Sequence, residues 1–348
     1  MYSISRLDCI NRCIYEAYRT YVLDERGDKN IYTVLGSTIH ECLENIVAGN
    51  ATEADLLPAM EKDLENVGLF GLEFPKDQKG EDSIRINWIK DMTHFCKTYK
   101  SPKKKKLKAE EEIHYVTPKG YELVGYIDLI WEHDKKVVDI YDYKTSAMYT
   151  KDGMKEHGRQ LVLYGLALEA QGYIVRSINW IFTKYVNVTY TGYKTVKSKN
   201  QTVINKCIER RKITKELEQP IITHLTELGF DDIDIELKVD DFKKTGIIPQ
   251  ELEAAFSIQP CVVKYDFSEE NKTECIEYIE STIEYWESLP EESKCNSHRE
   301  FTRTQKNGKI VNDIYYCTSL CPHKKNCSYF SDFMDKLEIQ NTDIEDLF

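Results

Sequence analysis

The sequence predicts an α/β protein with a central mixed sheet flanked by helices. Three observations carry that expectation. The first hundred residues place their apolar positions at helical spacing. Residues 107–145 then read as three consecutive strands separated by turn residues. A helical stretch over 159–171 leads into a further strand.

The 348 residues suffice for one large domain or two ordinary ones, and 41% hydrophobic with 11% aromatic content supports a sizeable core. A net charge of −12 argues against a protein that coats nucleic acid non-specifically, while leaving room for a local basic groove. No run of about 18 apolar residues occurs, so no membrane span is expected. Met1-Tyr-Ser-Ile-Ser-Arg6 lacks the apolar region of a secretory signal. Eleven cysteines without an export signal are expected to be packing residues or metal ligands in a reducing, cytoplasmic setting rather than a disulfide framework.

In chain order, a helix is expected over about 8–23, with Leu7, Ile10, Ile14, Ala17 and Tyr18 on its apolar side and Cys9 and Cys13 sharing a face. A second, over about 34–48 and stopped by Gly49-Asn50, carries His40, Glu41 and Glu44. Two amphipathic helices follow near 53–67 and 83–99. The four lysines at 103–106 read as a solvated linker or a phosphate contact. Strands are expected over 107–116, 121–133 and 136–145, made antiparallel neighbours by turns at Lys119-Gly120 and His133-Asp134-Lys135. A polar stretch over 146–158 precedes the 159–171 helix, closed by Gly172; a strand over 174–183 and a hairpin arm over 187–193 follow. Residues 197–260 change character and read as an insertion or helical subdomain, within a main unit formed by 1–196 and 261–330. A strand at 262–267, a helix at 274–289 and an acidic tail at 331–348 complete the chain.

The chemistry concentrates on two strand segments, Gly125-Tyr-Ile-Asp128 and Asp142-Tyr143-Lys144. Alternation puts Asp142 and Lys144 on one sheet face, and Asp139, three residues away, on the other. Two carboxylates beside an ammonium suit a magnesium or manganese ion, which prefers oxygen ligands, and the water such an ion activates. An isolated Asp-x-Lys is most often a surface ion pair, and a lone histidine most often a core or capping residue. Here both have company.

Five blocks occur in order: Ser3-Ile-Ser5-Arg-Leu7 leading to Cys13; Gly36-Ser-Thr-Ile-His40-Glu41; Gly125-Tyr-Ile-Asp128; Asp142-Tyr-Lys144-Thr-Ser; and Gln160-Leu-Val-Leu-Tyr164. Together they resemble the PD-(D/E)XK nuclease superfamily, and within it the RecB-like branch that includes the AddB nuclease domain and the CRISPR-adaptation exonucleases with an iron–sulfur cluster. The resemblance implies a restriction-endonuclease-like core acting on DNA. It implies that His40, Asp128, Asp142 and the main-chain carbonyl of Tyr143 hold Mg2+ or Mn2+, and that Lys144 is the catalytic lysine. It further implies that Gln160 and Tyr164 help hold DNA or the active-site geometry. Glu112, on the first strand, is a candidate supporting carboxylate.

Cys317-x3-Cys321-x5-Cys327 is dense enough to suggest soft-metal ligation, with a fourth thiolate to come from elsewhere. The resemblance implies that it comes from the amino-terminal part, as Cys13 or, one helical turn earlier, Cys9. It also implies a [4Fe–4S] cluster that staples the two ends of the chain. The tail departs from the family's usual spacing, with three residues rather than two between its first two cysteines. Cys42, Cys96, Cys207, Cys261, Cys275 and Cys295 are scattered singly and read as packing residues.

The expected activity is that of a metal-dependent exonuclease in DNA recombination, repair or phage DNA metabolism. The alternative is a weakly catalytic DNA-binding scaffold subunit of a helicase or integrase complex. No G-x-x-x-x-G-K-[ST] segment occurs, so ATP-driven unwinding falls to a partner.

Overall fold

The computed structural model describes residues 1–102, 106–133, 136–192 and 201–345, with side chains of the last helix described to residue 337. The lysine run at 103–106, apart from Lys106, and the centre of the expected turn at 133–135 lie outside these residues.

Ser3 starts α1 (Ile4–Arg12) by accepting a hydrogen bond from the Arg6 amide, and α2 (Ile14–Tyr21) follows at once. The single helix expected over 8–23 is broken at Cys13, whose backbone is extended at φ −160°, ψ 106°. Cys9 stays on the buried face of α1, so the break parts two cysteines that an unbroken helix would hold on one face. Next come α3 (Ile31–Ala48), capped by Asn30 and ended by Gly49 at φ 78°, α4 (Leu56–Leu69) and α5 (Ser83–Thr98). Leu35, Ile39 and Leu43 of α3 pack with Met60, Met92 and Phe95 against one face of the sheet, through Leu129 and Tyr143.

The expected strands appear as β1 (Leu107–Val116), β2 (Glu122–Glu132) and β3 (Val137–Lys144), paired antiparallel in sequence. Gly120, at φ 89°, supplies the left-handed turn residue between β1 and β2. Helix α6 (Lys151–Ala170) starts eight residues before its expected start, because Thr150 caps it by accepting from the Gly153 amide. Its first two turns are largely solvent-facing and so show no apolar stripe to read. Strand β4 (Ile174–Gly192) is continuous, with an irregularity between Phe182 and Val186, rather than a strand plus a hairpin arm. It lies parallel to β3, α6 being the crossover, so the sheet is mixed.

Strands β5 (Thr202–Glu209) and β6 (Phe256–Tyr265) both run antiparallel to β4, on opposite sides of it. The stretch read as an insertion therefore lends strands to the main sheet. Between them α7 (Ile213–Glu227) and α8 (Asp232–Thr245) enclose a core of their own against Val186, Val188 and Tyr190. Helix α9 (Glu269–Ser288) stops before Pro290; α10 (Glu291–Asn296), the small hairpin β7 (Thr302–Thr304) and β8 (Ile310–Asn312), and α11 (Ser328–Glu345) complete the chain. The other sheet face is covered by α1, α6 and α9, where Leu7, Ile10, Leu161, Ile279 and Ile283 meet Trp180 and Phe182. Each such buried side chain contributes about 2–3 kcal/mol of transfer free energy. Among the described residues no helix is long and apolar enough to cross a membrane.

Candidate active site

Sheet and both helical layers converge at the carboxyl end of β3. Alternation along β3 turns Asp142 and Lys144 toward α6, and there the Lys144 ammonium lies 2.7 Å from Asp142 Oδ2 and donates to Gln160 Oε1 at 3.0 Å. Gln160 Nε2 in turn donates to the Tyr164 hydroxyl at 2.9 Å, one helical turn on. On β2, Asp128 Oδ2 accepts from the Tyr143 amide at 2.7 Å and lies 3.3 Å from His40 Nδ1, which α3 presents from the opposite layer. All six side chains expected at a metal or catalytic position thus fall in one neighbourhood. The Tyr143 side chain points away, its hydroxyl 3.3 Å from that of Tyr99, leaving only its main chain toward the site.

Glu110 joins this group. His40, Glu110 and Asp128 form the one set of three or more His, Cys, Asp or Glu side chains, among the described residues, whose ligand atoms lie within 4.8 Å of one another. On this strand the sequence offered only Glu112, as a supporting carboxylate. The structure turns Glu112 to the surface, where it contacts His114 Nε2 at 2.8 Å and accepts from the Tyr126 hydroxyl. The observed register sets residue 110 level with Asp128, between the pairs Ala109–Leu129 and Glu111–Ile127, whereas a two-residue turn at Lys119-Gly120 would set Glu111 there. Glu110 also has φ 48°, a left-handed conformation unusual for a non-glycine residue in a strand. Asp139, the rival to Asp142, is buried on the far side and held by Arg176, Ser177 and His133.

Two glycines allow the close packing. A Cβ on Gly125 would come within 2.9 Å of the Tyr164 ring, and one on Gly36 within 3.4 Å of Thr145 Oγ1. Beside them His40, Glu41, Glu44 and Glu110 line an open cleft of about 490 Å³.

The electrostatics test whether a cation fits. Burial, reinforced by Asp128, pushes Asp142 up from 3.8 to about 6. Burial, with Asp128 and Glu44 nearby, likewise raises Glu110. Burial opposes the charging of His40, yet the Asp128 carboxylate outweighs it and raises the imidazole. Burial opposes charge on Lys144 too, and Asp142 outweighs it, holding the ammonium above its ordinary range. At each of these groups a neighbouring carboxylate acts in the direction that favours positive charge nearby. Asp142 Oδ2 is buried, with the Lys144 ammonium 2.7 Å away. The donor set is oxygen plus one imidazole, and it suits a hard divalent cation.

The cysteines form a second group. Cys13, Cys317, Cys321 and Cys327 line one small cavity together with Glu16 and His323; Cys9 does not reach it. Burial raises the thiols of Cys13, Cys317 and Cys321, Cys317 to about 11 and Cys321 to about 12, with neighbouring sulfurs adding to the effect. Thiols crowded in this way release their protons to a metal.

The profile of the PD-(D/E)XK nuclease superfamily matches residues 1–328. No curated protein matches the chain. With nearly the whole length covered by that profile, and a mixed sheet flanked by helices beneath it, the chain belongs to the PD-(D/E)XK nuclease superfamily.

Proposed function

We propose that the protein is a metal-dependent deoxyribonuclease of the RecB-like branch, acting as an exonuclease in DNA recombination, repair or phage DNA metabolism in the cytoplasm. The observation that carries this reading is the meeting of His40, Glu110 and Asp128 beside the buried Asp142–Lys144 pair. His40, Glu110, Asp128, Asp142 and the Tyr143 carbonyl would hold Mg2+ or Mn2+. When bound, such an ion polarises a phosphodiester and lowers the pKa of a coordinated water. Lys144, kept protonated by Asp142 and aimed by Gln160, presents a fixed positive charge to the phosphoryl oxygens as negative charge develops on them. Tyr164 fixes the Gln160 amide, so the lysine is positioned before substrate arrives. The choice of exonuclease rests on the sequence blocks shared with RecB-like nucleases, and unwinding of duplex substrates falls to a partner helicase.

Cys13, Cys317, Cys321 and Cys327 would hold a [4Fe–4S] cluster. Among the described residues no three of their sulfurs lie within 4.8 Å of one another. A tetrahedral zinc site, with Zn–S near 2.3 Å, sets its sulfurs about 3.8 Å apart. The choice of a cluster over zinc rests on the sequence blocks shared with the cluster-bearing nucleases.

The test is degradation of end-labelled linear DNA, single- and double-stranded, with Mg2+ or Mn2+. Wild type should shorten strands from an end. Lys144→Ala should lose at least about 10²–10³ in rate while binding DNA normally. Cleavage by the variant at the wild-type rate, or an inert wild type with both metals, would sink the reading.

A further inference from the structure

Cys207 and Cys261, read from the sequence as isolated packing residues, meet in the structure. Their Sγ atoms are 3.2 Å apart, and Cys207 Sγ lies 3.6 Å from Met148 Sδ. From these contacts we propose that Met148, Cys207 and Cys261 form a soft-cation site that takes a monovalent d10 ion, Cu(I).

Register decides between a bridging ion and a disulfide. Cys207 stands opposite Asn187 on one side of β4, and Cys261 opposite Phe182 on the other, flanking the irregularity between Phe182 and Val186. Neighbouring strands lie 4.7–4.9 Å apart, so two strands separated by a third have backbones on the order of 9 Å apart. A disulfide tolerates roughly 7 Å between Cα atoms. The two side chains lean across β4 to meet, and an ion that bridges two sulfurs needs them to part slightly rather than to close.

The donor set selects the ion. Two thiols and a thioether are soft ligands, which favour Cu(I) over magnesium or calcium; zinc asks for a fourth ligand. Cys207 is exposed and offers the entry path, while Cys261 is buried on β6 and gives the site a rigid anchor. Met148 belongs to the segment that joins β3 to α6, and its amide donates to the Tyr185 hydroxyl on β4, setting the thioether over the sheet. On binding, both thiols release their protons to solvent and the thioether adds unchanged. The bound group carries a single negative charge: two thiolates against one monovalent cation. The site shares no residue with the Cys13 group and stands independently of the nuclease reading.

The test is anaerobic titration of the full chain with Cu(I) against a chromophoric Cu(I) chelator. Cys207→Ser is the main variant, because an exposed thiol is replaced without disturbing the core. Wild type should take up one equivalent more than Cys207→Ser or Cys261→Ser, whatever the tail cysteines bind, since that background is common to all. Met148→Leu should keep the stoichiometry with about tenfold weaker affinity, and Cys295→Ser should match wild type. Equal copper uptake by wild type and Cys207→Ser would overturn the proposal. So would a peptide map showing a Cys207–Cys261 disulfide in protein that takes up no extra copper after reduction.

Discussion

Asp142 is 2% exposed, beside Asp128, with the Lys144 ammonium 2.7 Å from its Oδ2. Its folded-state value of about 6 lies above 3.8, so folding favours the protonated carboxyl. Its stabilising contribution is therefore fully present below about pH 4 and lost as pH rises through about 6, up to roughly 3 kcal/mol for a two-unit shift. A divalent cation offsets that loss only where the carboxyl is ionised. Calorimetry should accordingly show Mn2+ raising Tm more at pH 7.5 than at pH 5; an equal rise would remove Asp142 from the metal set. Glu110 stands on the same ground, and its left-handed backbone, at a cost of about 1–2 kcal/mol, is of the kind that persists at functional positions. Glu110→Gln keeps the shape and removes the charge. Cleavage should fall by about 10²-fold, partly recovered by raising Mn2+; unchanged kinetics would mean that Glu110 is only a neighbour.

Among the elements, the β1–β2 hairpin and α6 depend on each other through one missing side chain. An added methyl on Gly125 would stand 2.9 Å from Tyr164 Cε1 and 3.3 Å from Ile113 Cδ1, and both neighbours are buried. Gly125→Ala should thus destabilise by about 1–3 kcal/mol in urea unfolding. It should also lower cleavage, because a displaced Tyr164 no longer fixes the Gln160 amide that aims Lys144. A variant as stable and active as wild type would show that the ring can shift freely. The break between α1 and α2 is the other element-scale device. Extended backbone at a single residue sends Cys13 toward the tail while Cys9 remains in the core, so the helix must end for the two ends of the chain to meet.

Across the whole molecule, the tail is already stitched to the amino-terminal part by protein contacts. Asp28 donates its amide to the Pro322 carbonyl at 2.8 Å, Arg19 donates to the Asn326 carbonyl at 3.0 Å, and Asn30 to the Leu320 carbonyl at 3.2 Å. Gly27 lets this loop dock, since a Cβ there would stand 2.6 Å from Pro322 backbone and side chain. Closing a loop of about 300 residues costs several kcal/mol of chain entropy, which hydrogen bonds alone offset only in part. On the proposed cluster assignment, Cys13→Ser should remove the visible iron–sulfur absorption and lower Tm, while Cys9→Ser keeps the absorption. The opposite result would transfer the fourth ligand to Cys9. Gly27→Ala should lower cluster content through docking alone, read as iron per chain.

Much of the fold was legible in the sequence where local physics is strong. Alternation and turn residues placed β1 to β3, and the αL glycine after residue 48 marked the end of α3. Where packing decides, the sequence was less informative. The solvent-facing start of α6 carries no stripe, β4 continues through an irregularity that reads as a break, and β5 and β6 join the sheet only because β4 reaches both. The candidate site divides in the same way. The blocks that resemble the PD-(D/E)XK superfamily set the expectation that Asp128, Asp142, Lys144, His40, Gln160 and Tyr164 serve one site, and the structure brings these side chains into one neighbourhood. Only the tertiary structure decided that Glu110 rather than Glu112 completes the cluster, that Cys13 rather than Cys9 faces the tail, and that Cys207 meets Cys261. Each of these turns on which way one side chain points, and that is set by a single backbone torsion or by the strand beside it, long-range facts that no local pattern contains.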